Sequence, residues 1–218
     1  ILVAGVTASA TESTAYLVLD PGSHTGSVII SDVATASYVA AGNDAVRGSS
    51  LSGGGDVDGD GYPDWLIGAV GDSDAGTDAG AAYLVLGSAS ASGTIDLDVA
   101  EAKLIGEGED FEAGVSVSLD GDTNGDGLAD ILVGSNQDSS TGPGRAYLFV
   151  DAPSGSVNLA TADMILSGEI AGDYAGEMVK IIADTDGDGL DDILVGAPYI
   201  DWGASNAGGA YLLLGTGV

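Results

Sequence analysis

Three stretches of this 218-residue chain carry the residues best suited to chemistry: Asp56-Val-Asp-Gly-Asp-Gly-Tyr-Pro-Asp64, Asp122-Thr-Asn-Gly-Asp-Gly-Leu-Ala-Asp130 and Asp184-Thr-Asp-Gly-Asp-Gly-Leu-Asp-Asp192. Oxygen-bearing side chains at positions 1, 3, 5 and 9, a Gly at 6 for a sharp turn and a free carbonyl at 7 make an all-oxygen shell, which hard Ca²⁺ prefers. Mg²⁺ suits it less, because it demands octahedral geometry and keeps its water. The expected ligands are Asp56, Asp58, Asp60, Asp64 and the Tyr62 carbonyl in the first loop. In the second they are Asp122, Asn124, Asp126, Asp130 and the Leu128 carbonyl, and in the third Asp184, Asp186, Asp188, Asp192 and the Leu190 carbonyl. Three Ca²⁺ sites are expected.

The opening of each loop also fits an EF-hand, which needs a bidentate Glu at position 12 and a helix on either side. Position 12 here is Ile67, Val133 or Val195, inside Asp64-Trp-Leu-Ile-Gly, Asp130-Ile-Leu-Val-Gly and Asp192-Ile-Leu-Val-Gly. These short apolar runs bounded by turn residues read as buried strands, so the EF-hand reading fails. A metal-free acidic hairpin turn would explain one such loop. It does not explain four oxygen ligands in register three times.

The elements that hold the loops repeat with them. The loops begin at 56, 122 and 184, separations of 66 and 62 residues. Ala15-Tyr-Leu-Val-Leu, Ala82-Tyr-Leu-Val-Leu, Ala146-Tyr-Leu-Phe-Val and Ala210-Tyr-Leu-Leu-Leu keep that rhythm, as do Gly26-Ser-Val-Ile-Ile, Gly93-Thr-Ile-Asp-Leu and Gly155-Ser-Val-Asn-Leu. Tyr38-Val-Ala, Lys103-Leu-Ile-Gly and Met164-Ile-Leu-Ser follow, and Ala113-Gly-Val-Ser-Val and Ala175-Gly-Glu-Met-Val lead into the next loop. Such periodicity is read before local structure. Each period holds about four short strands and no long helix, with room for one helical turn near 96–101 and 158–163. A four-stranded unit repeated radially is a β-propeller blade, a solution that leaves few open strand edges. The fold class is therefore all-β, a single propeller region with a partial blade at 1–46, blades at 47–112 and 113–174, and a partial blade at 175–218. Ile1-Leu-Val stands where a strand would follow an acidic loop, so the sequence reads as part of a longer array.

Composition narrows the partners. With a formal charge of −30 and only Arg47, Lys103, Arg145 and Lys180 as cations, the chain repels nucleic-acid phosphates and anionic lipid heads. Three Ca²⁺ would offset only part of this acidity, and a saline habitat or solubility accounts for the remainder. The absence of Cys removes disulfides and thiol catalysis, leaving extracellular Ca²⁺ as a source of rigidity. No run reaches the ~18 apolar residues of a membrane span, and no signal peptide is visible.

The combination of Ala-Gly-x-x-Val, Asp-x-Asp-x-Asp-Gly-x-x-Asp, Ile-Leu-Val-Gly-Ala-Pro and Gly-Ala-Tyr-Leu-Leu-Leu resembles the FG-GAP repeat of the integrin α-subunit β-propeller and its bacterial relatives, over essentially the whole chain. Departures are Ala113-Gly114 and Ala175-Gly176 in place of Phe-Gly. The Gly-Ala-Pro element is intact only at Gly196-Ala197-Pro198, becoming Gly68-Ala69-Val70 and Gly134-Ser135-Asn136 elsewhere. The resemblance implies a seven-bladed propeller with Ca²⁺ in the hairpin between first and second strands, opposite the ligand face. It also implies an extracellular or cell-surface role in adhesion or protein–protein contact.

Catalytic sets are weak. His24, in the turn Asp20-Pro-Gly-Ser-His24, cannot make a triad with adjacent Ser23 and Asp20. Glu107, Glu109 and Glu112 are the nearest candidates for a glycosidase pair, but the segment reads as a solvated loop between blades. The chain is expected to be non-enzymatic. Tyr199 and Trp202, in a loop between second and third strands, are the candidates for touching a protein or glycan ligand, with packing on the neighbouring blade as the alternative. A lectin-like propeller, an accessory domain of a larger secreted enzyme and a surface-layer or filament subunit stay open beside adhesion.

Overall fold

The structure is a computed structural model that describes residues 2–6, 13–19, 21–40, 50–137, 142–201 and 205–216. Its strands assemble four sheets. The first joins β1 (Leu2–Val6), β2 (Ser13–Leu17) and β3 (Ala36–Ala40), antiparallel throughout. The second joins β4 (Leu51–Gly53), β5 (Trp65–Ala69) and β6 (Ala81–Val85), skips β7 (Gly93–Asp96) and takes β8 (Ala102–Ile105). The third repeats this with β9 (Ala113–Ser118), β10 (Ile131–Ser135) and β11 (Arg145–Phe149), skipping β12 (Gly155–Asn158) for β13 (Met164–Ser167). The fourth holds β14 (Met178–Ile182), β15 (Asp192–Ala197) and β16 (Gly209–Leu213).

Successive sheets pack face to face, and this explains why the second strand of each reads as an unbroken apolar run. β5 and β10 are buried at every position because both their faces are covered. Trp65 and Ile67 pack toward Tyr38 of the first sheet, while Leu66 joins Val117, Leu119 and Ile131 of the third. β15 lies in the last sheet, and its Leu194 is 38% exposed. The all-β class and the stacked blades agree with the sequence expectation. The longest described helix, Ile30–Val33, has four residues.

The expected blade bounds enclose β7 and β12 in the units 47–112 and 113–174, but each crosses to the outer edge of the preceding sheet and pairs in parallel: Gly93–Asp96 along Ala36–Val39, and Gly155–Asn158 along Ala102–Ile105. The turns foreseen after them are 3₁₀ turns at Leu97–Val99 and Leu159–Thr161, capped by Asp96 and Asn158, whose side chains accept from the Asp98 and Ala160 N–H groups. Each turn drives its leading leucine between two sheets, leaving Leu97 2% and Leu159 0% exposed. Burying one such side chain stabilises by about 2 kcal/mol, and the added strand covers an edge that would otherwise be free to pair. The inner strands are tied by serines instead. Ser52 Oγ accepts from Leu119 N, and Ser116 and Ser118 Oγ accept from Val179 N and Ile181 N, each at 3.0 Å.

Candidate metal centres

The acidic loops join β4 to β5, β9 to β10 and β14 to β15, so all three emerge at the same end of their sheets. Backbone N–H groups fold each loop around its own carboxylates. Asp56 accepts from Gly59 N at 2.7 Å and Gly61 N at 2.9 Å, Asp58 from Asp60 N at 3.0 Å, and Asp60 from Tyr62 N at 2.8 Å. The same pattern recurs for Asp122 with Gly125 and Gly127, Asn124 with Asp126 N and Asp126 with Leu128 N. It recurs again for Asp184 with Gly187 and Gly189, Asp186 with Asp188 N and Asp188 with Leu190 N. The glycines at positions 4 and 6 take φ between 75° and 93°, which lets the loop close on itself.

This folding brings carboxylates together. Oxygens of Asp56, Asp58 and Asp64 lie within 4.8 Å of one another, as do those of Asp184, Asp186 and Asp188. Like charges that close repel, and an oxygen-only cluster of that size suits a hard divalent cation. In the second loop no three carboxylates come so near among the described residues, because position 3 is Asn124, whose amide donates to Asp126 at 3.0 Å.

Position 9 is the anchor. Asp64, Asp130 and Asp192 are all fully buried. Asp64 accepts from Val57 N at 2.8 Å and from Gly87 N at 2.6 Å, across the end of the third strand. Asp192 repeats this with Thr185 N at 2.8 Å and Gly215 N at 2.9 Å. In the middle loop Thr123 N reaches Asp130 at 2.6 Å, but Asp130 Oδ1 has no partner among the described residues. The cause is local. Asp151 stands where Gly87 and Gly215 stand in the flanking repeats, four residues after the strand tyrosine. A Cβ at those glycines would fall 2.2 Å from Pro63 O and 2.6 Å from Asp191 O, so only glycine brings its N–H close enough. An orphaned buried carboxylate oxygen beside the loop is what a cation site would use.

Sequence reasoning missed position 2. The Thr123 and Thr185 hydroxyls donate to the same position-9 oxygens as their own N–H groups, whereas Val57 offers only its N–H. A threonine shared by two of the three loops was the available signal. Burial raises the Asp64 pKa against the pull of the Gly87 and Val57 N–H groups, and burial raises Asp130 to about 6 against Thr123. The hydrogen bond from the Thr185 hydroxyl lowers Asp192, and the N–H groups of Gly189 and Gly187 lower Asp184.

The opposite end of the sheets carries the loops between second and third strands. Tyr199 there is 48% exposed and meets Tyr174 edge-on at 5.1 Å, while Trp202 lies outside the described residues. Glu107 binds Arg145 and the Tyr147 hydroxyl, a structural pairing rather than a free carboxylate awaiting a partner acid. His24 is exposed, and Asp20 lies outside the described residues. Lys103 contacts Asp72 at 2.6 Å and Asp74 at 2.8 Å and lies over the Tyr83 ring. Burial pulls its pKa down, but pairing with Asp72 and Asp74 outweighs this and raises it. Because Asp72 is 0% exposed, Lys103→Met should cost about 3 kcal/mol in urea unfolding by removing the cation that offsets its charge, while the hydrogen bonds from Asp74 N and the Tyr83 hydroxyl stay. Asp72→Asn in the same chain should recover part of that loss, and a neutral single variant would show the pair to be dispensable.

The FG-GAP repeat family matches residues 113–149 and 182–213. Integrin alpha-IIb of Mus musculus is 37% identical over 101 residues, covering 43% of this chain and 10% of the relative. Human integrin alpha-IIb gives the same identity over 9% of its length, and integrin alpha-4 of Xenopus laevis is 33% identical over 78 residues, 35% of this chain and 8% of its own. The matched region thus spans about a tenth of these relatives' length.

Proposed function

With FG-GAP repeats in the chain and partial homology to integrin alpha subunits, we propose that it is a Ca²⁺-braced, extracellular, non-enzymatic propeller region for adhesion or protein–protein contact. The observation that carries the metal part is the threefold recurrence of an inward-folded acidic loop at one end of the sheets, with its position-9 carboxylate buried. Each loop would take one Ca²⁺ through its position 1, 3, 5 and 9 side chains and its position 7 carbonyl: Tyr62, Leu128 or Leu190. The cation would neutralise carboxylates that otherwise repel, so its binding energy becomes folding energy. No helix among the described residues is long and apolar enough to cross a membrane.

Calorimetric titration of metal-free protein with CaCl₂ should give three sites, and MgCl₂ should bind at least about tenfold more weakly. Asp58→Ala or Asp186→Ala should each remove one site. Saturation at zero sites would end the metal reading. The ligand end is assigned to the loops opposite the metals, where Tyr199 presents exposed aromatic surface for a protein or glycan. Surface plasmon resonance against extracellular matrix proteins, repeated with Tyr199→Ala and Trp202→Ala, tests it. Unchanged binding in both would move the ligand surface elsewhere.

A further inference from the structure

The three loops touch one another, and the contacts involve the residues that would hold metal. Ala129 N, at position 8 of the second loop, donates to the carbonyl of Asp56, position 1 of the first, at 2.9 Å. Asp191 N, at position 8 of the third, donates to the carbonyl of Asp122, position 1 of the second, also at 2.9 Å. Side chains at position 7 follow the same rule. Leu128 packs on Gly59, 3.3 Å from where a Cβ would sit, and Leu190 packs on Gly125 at 2.8 Å. The junction between second and third loops carries further bonds, from Asp122 N to the Asp191 carboxylate at 2.9 Å and from Thr216 N to Thr123 O at 3.2 Å.

Resting on the Ca²⁺ reading of the loops, we propose that metal loading is coupled between neighbours: each closed loop holds the position-1 aspartate of the loop before it. A cation that draws in the position 7 carbonyl fixes the position 7 side chain and the position 8 N–H with it. Those two groups brace Asp56 or Asp122 in the preceding loop. Without metal nothing draws in the position 7 carbonyl, and in the first and third loops the crowded carboxylates also push against closure, so both braces are held less firmly. Linkage makes the coupling reciprocal, so filling the earlier loop favours the later one by the same factor. One exchanged hydrogen bond supports a factor of about three to ten, and the extra bonds at Asp122 place the larger factor between the second and third loops.

The first loop supplies the means to test this. Its position 8 is Pro63, which has no N–H, so proline is compatible with the loop itself. Ala129→Pro therefore deletes the bond to Asp56 while leaving every ligand of the second loop in place. CaCl₂ titration of the metal-free 218-residue chain should give a Hill slope above 1. In the Asp186→Ala background, which leaves the first two loops, Ala129→Pro should return the slope to 1 with two sites retained. Leu128→Ala, which keeps the carbonyl ligand and removes only the side chain, should reduce it in the same direction and serves if the proline variant does not fold. The second loop alone, in Asp58→Ala/Asp186→Ala, should bind about tenfold more weakly than when its third-loop neighbour is restored. Three independent sites in the wild-type chain, or a slope unmoved by Ala129→Pro and Leu128→Ala, would overturn the coupling and leave the Ca²⁺ reading standing. Absence of any Ca²⁺ binding would overturn both.

Discussion

Stripping Ca²⁺ from this chain is expected to lower its thermal midpoint by about 15–30 °C. Under the proposed three-site reading, each site held at about a hundred times its dissociation constant would contribute about 2.7 kcal/mol, and three would contribute about 8 kcal/mol. A chain of this size shifts by about 2–4 °C for each kcal/mol. The loops are where that energy is exerted, because they join the first two strands of three successive sheets and the position-9 aspartates also hold the ends of third strands through Gly87 and Gly215. A loop pushed open by its own charge therefore frees three strands rather than a surface turn. Circular dichroism melts in millimolar CaCl₂ and after chelation read the difference directly. MgCl₂ at equal ionic strength separates site binding from simple screening of a −30 chain, and should restore little. A midpoint that stays put after exhaustive chelation would remove calcium from the account of this fold.

The acidic loops and the strands after them were legible because both signals are local. Carboxylates two residues apart face one turn, and the unbroken apolar run in Asp64-Trp-Leu-Ile-Gly marks a strand covered on both faces. The destination of Gly93–Asp96 was not legible. Its composition says strand, but its pairing with Ala36–Val39 depends on a neighbouring sheet more than fifty residues away. Position 9 shows the same division. Asp130 reads as a candidate ligand in the sequence, yet its orphaned oxygen follows from Asp151 replacing a glycine, a consequence visible only once the third strand's end lies against the loop. The serines that tie inner strands look like ordinary strand-face residues until Val179 and Ile181 arrive beside them. Trp202, a ligand candidate by sequence, lies outside the described residues, and Tyr199 meets Tyr174 edge-on, a contact that no local pattern announces.

Gly114→Ala should destabilise the chain strongly. Gly114 follows Ala113 where the inner strand of the third sheet crosses the second, and it takes a φ of 82°. A Cβ there would fall 2.2 Å from Ala81 O and 3.1 Å from Ala69 N, backbone atoms of paired strands that cannot swing aside. Adopting that φ with an alanine costs about 1–2 kcal/mol, and forcing the strands apart adds about 2–3 kcal/mol. Against a total stability of about 5–15 kcal/mol, the sum unfolds a large fraction of the chain or lowers its midpoint by about 6–20 °C. Two alanine controls separate the causes. Gly26 has a φ of 80° with nothing within 4 Å of its Cβ position, so Gly26→Ala carries the conformational part alone. Gly22 has neither constraint, so Gly22→Ala should be near neutral. If Gly114→Ala melts no lower than Gly26→Ala, the close crossing of the sheets at the Ala-Gly element is not what holds them in register. The same contact recurs at Gly176, whose Cβ would fall 2.0 Å from Arg145 O, so the small residues at this element are required by how nearly one sheet's inner strand touches its neighbour.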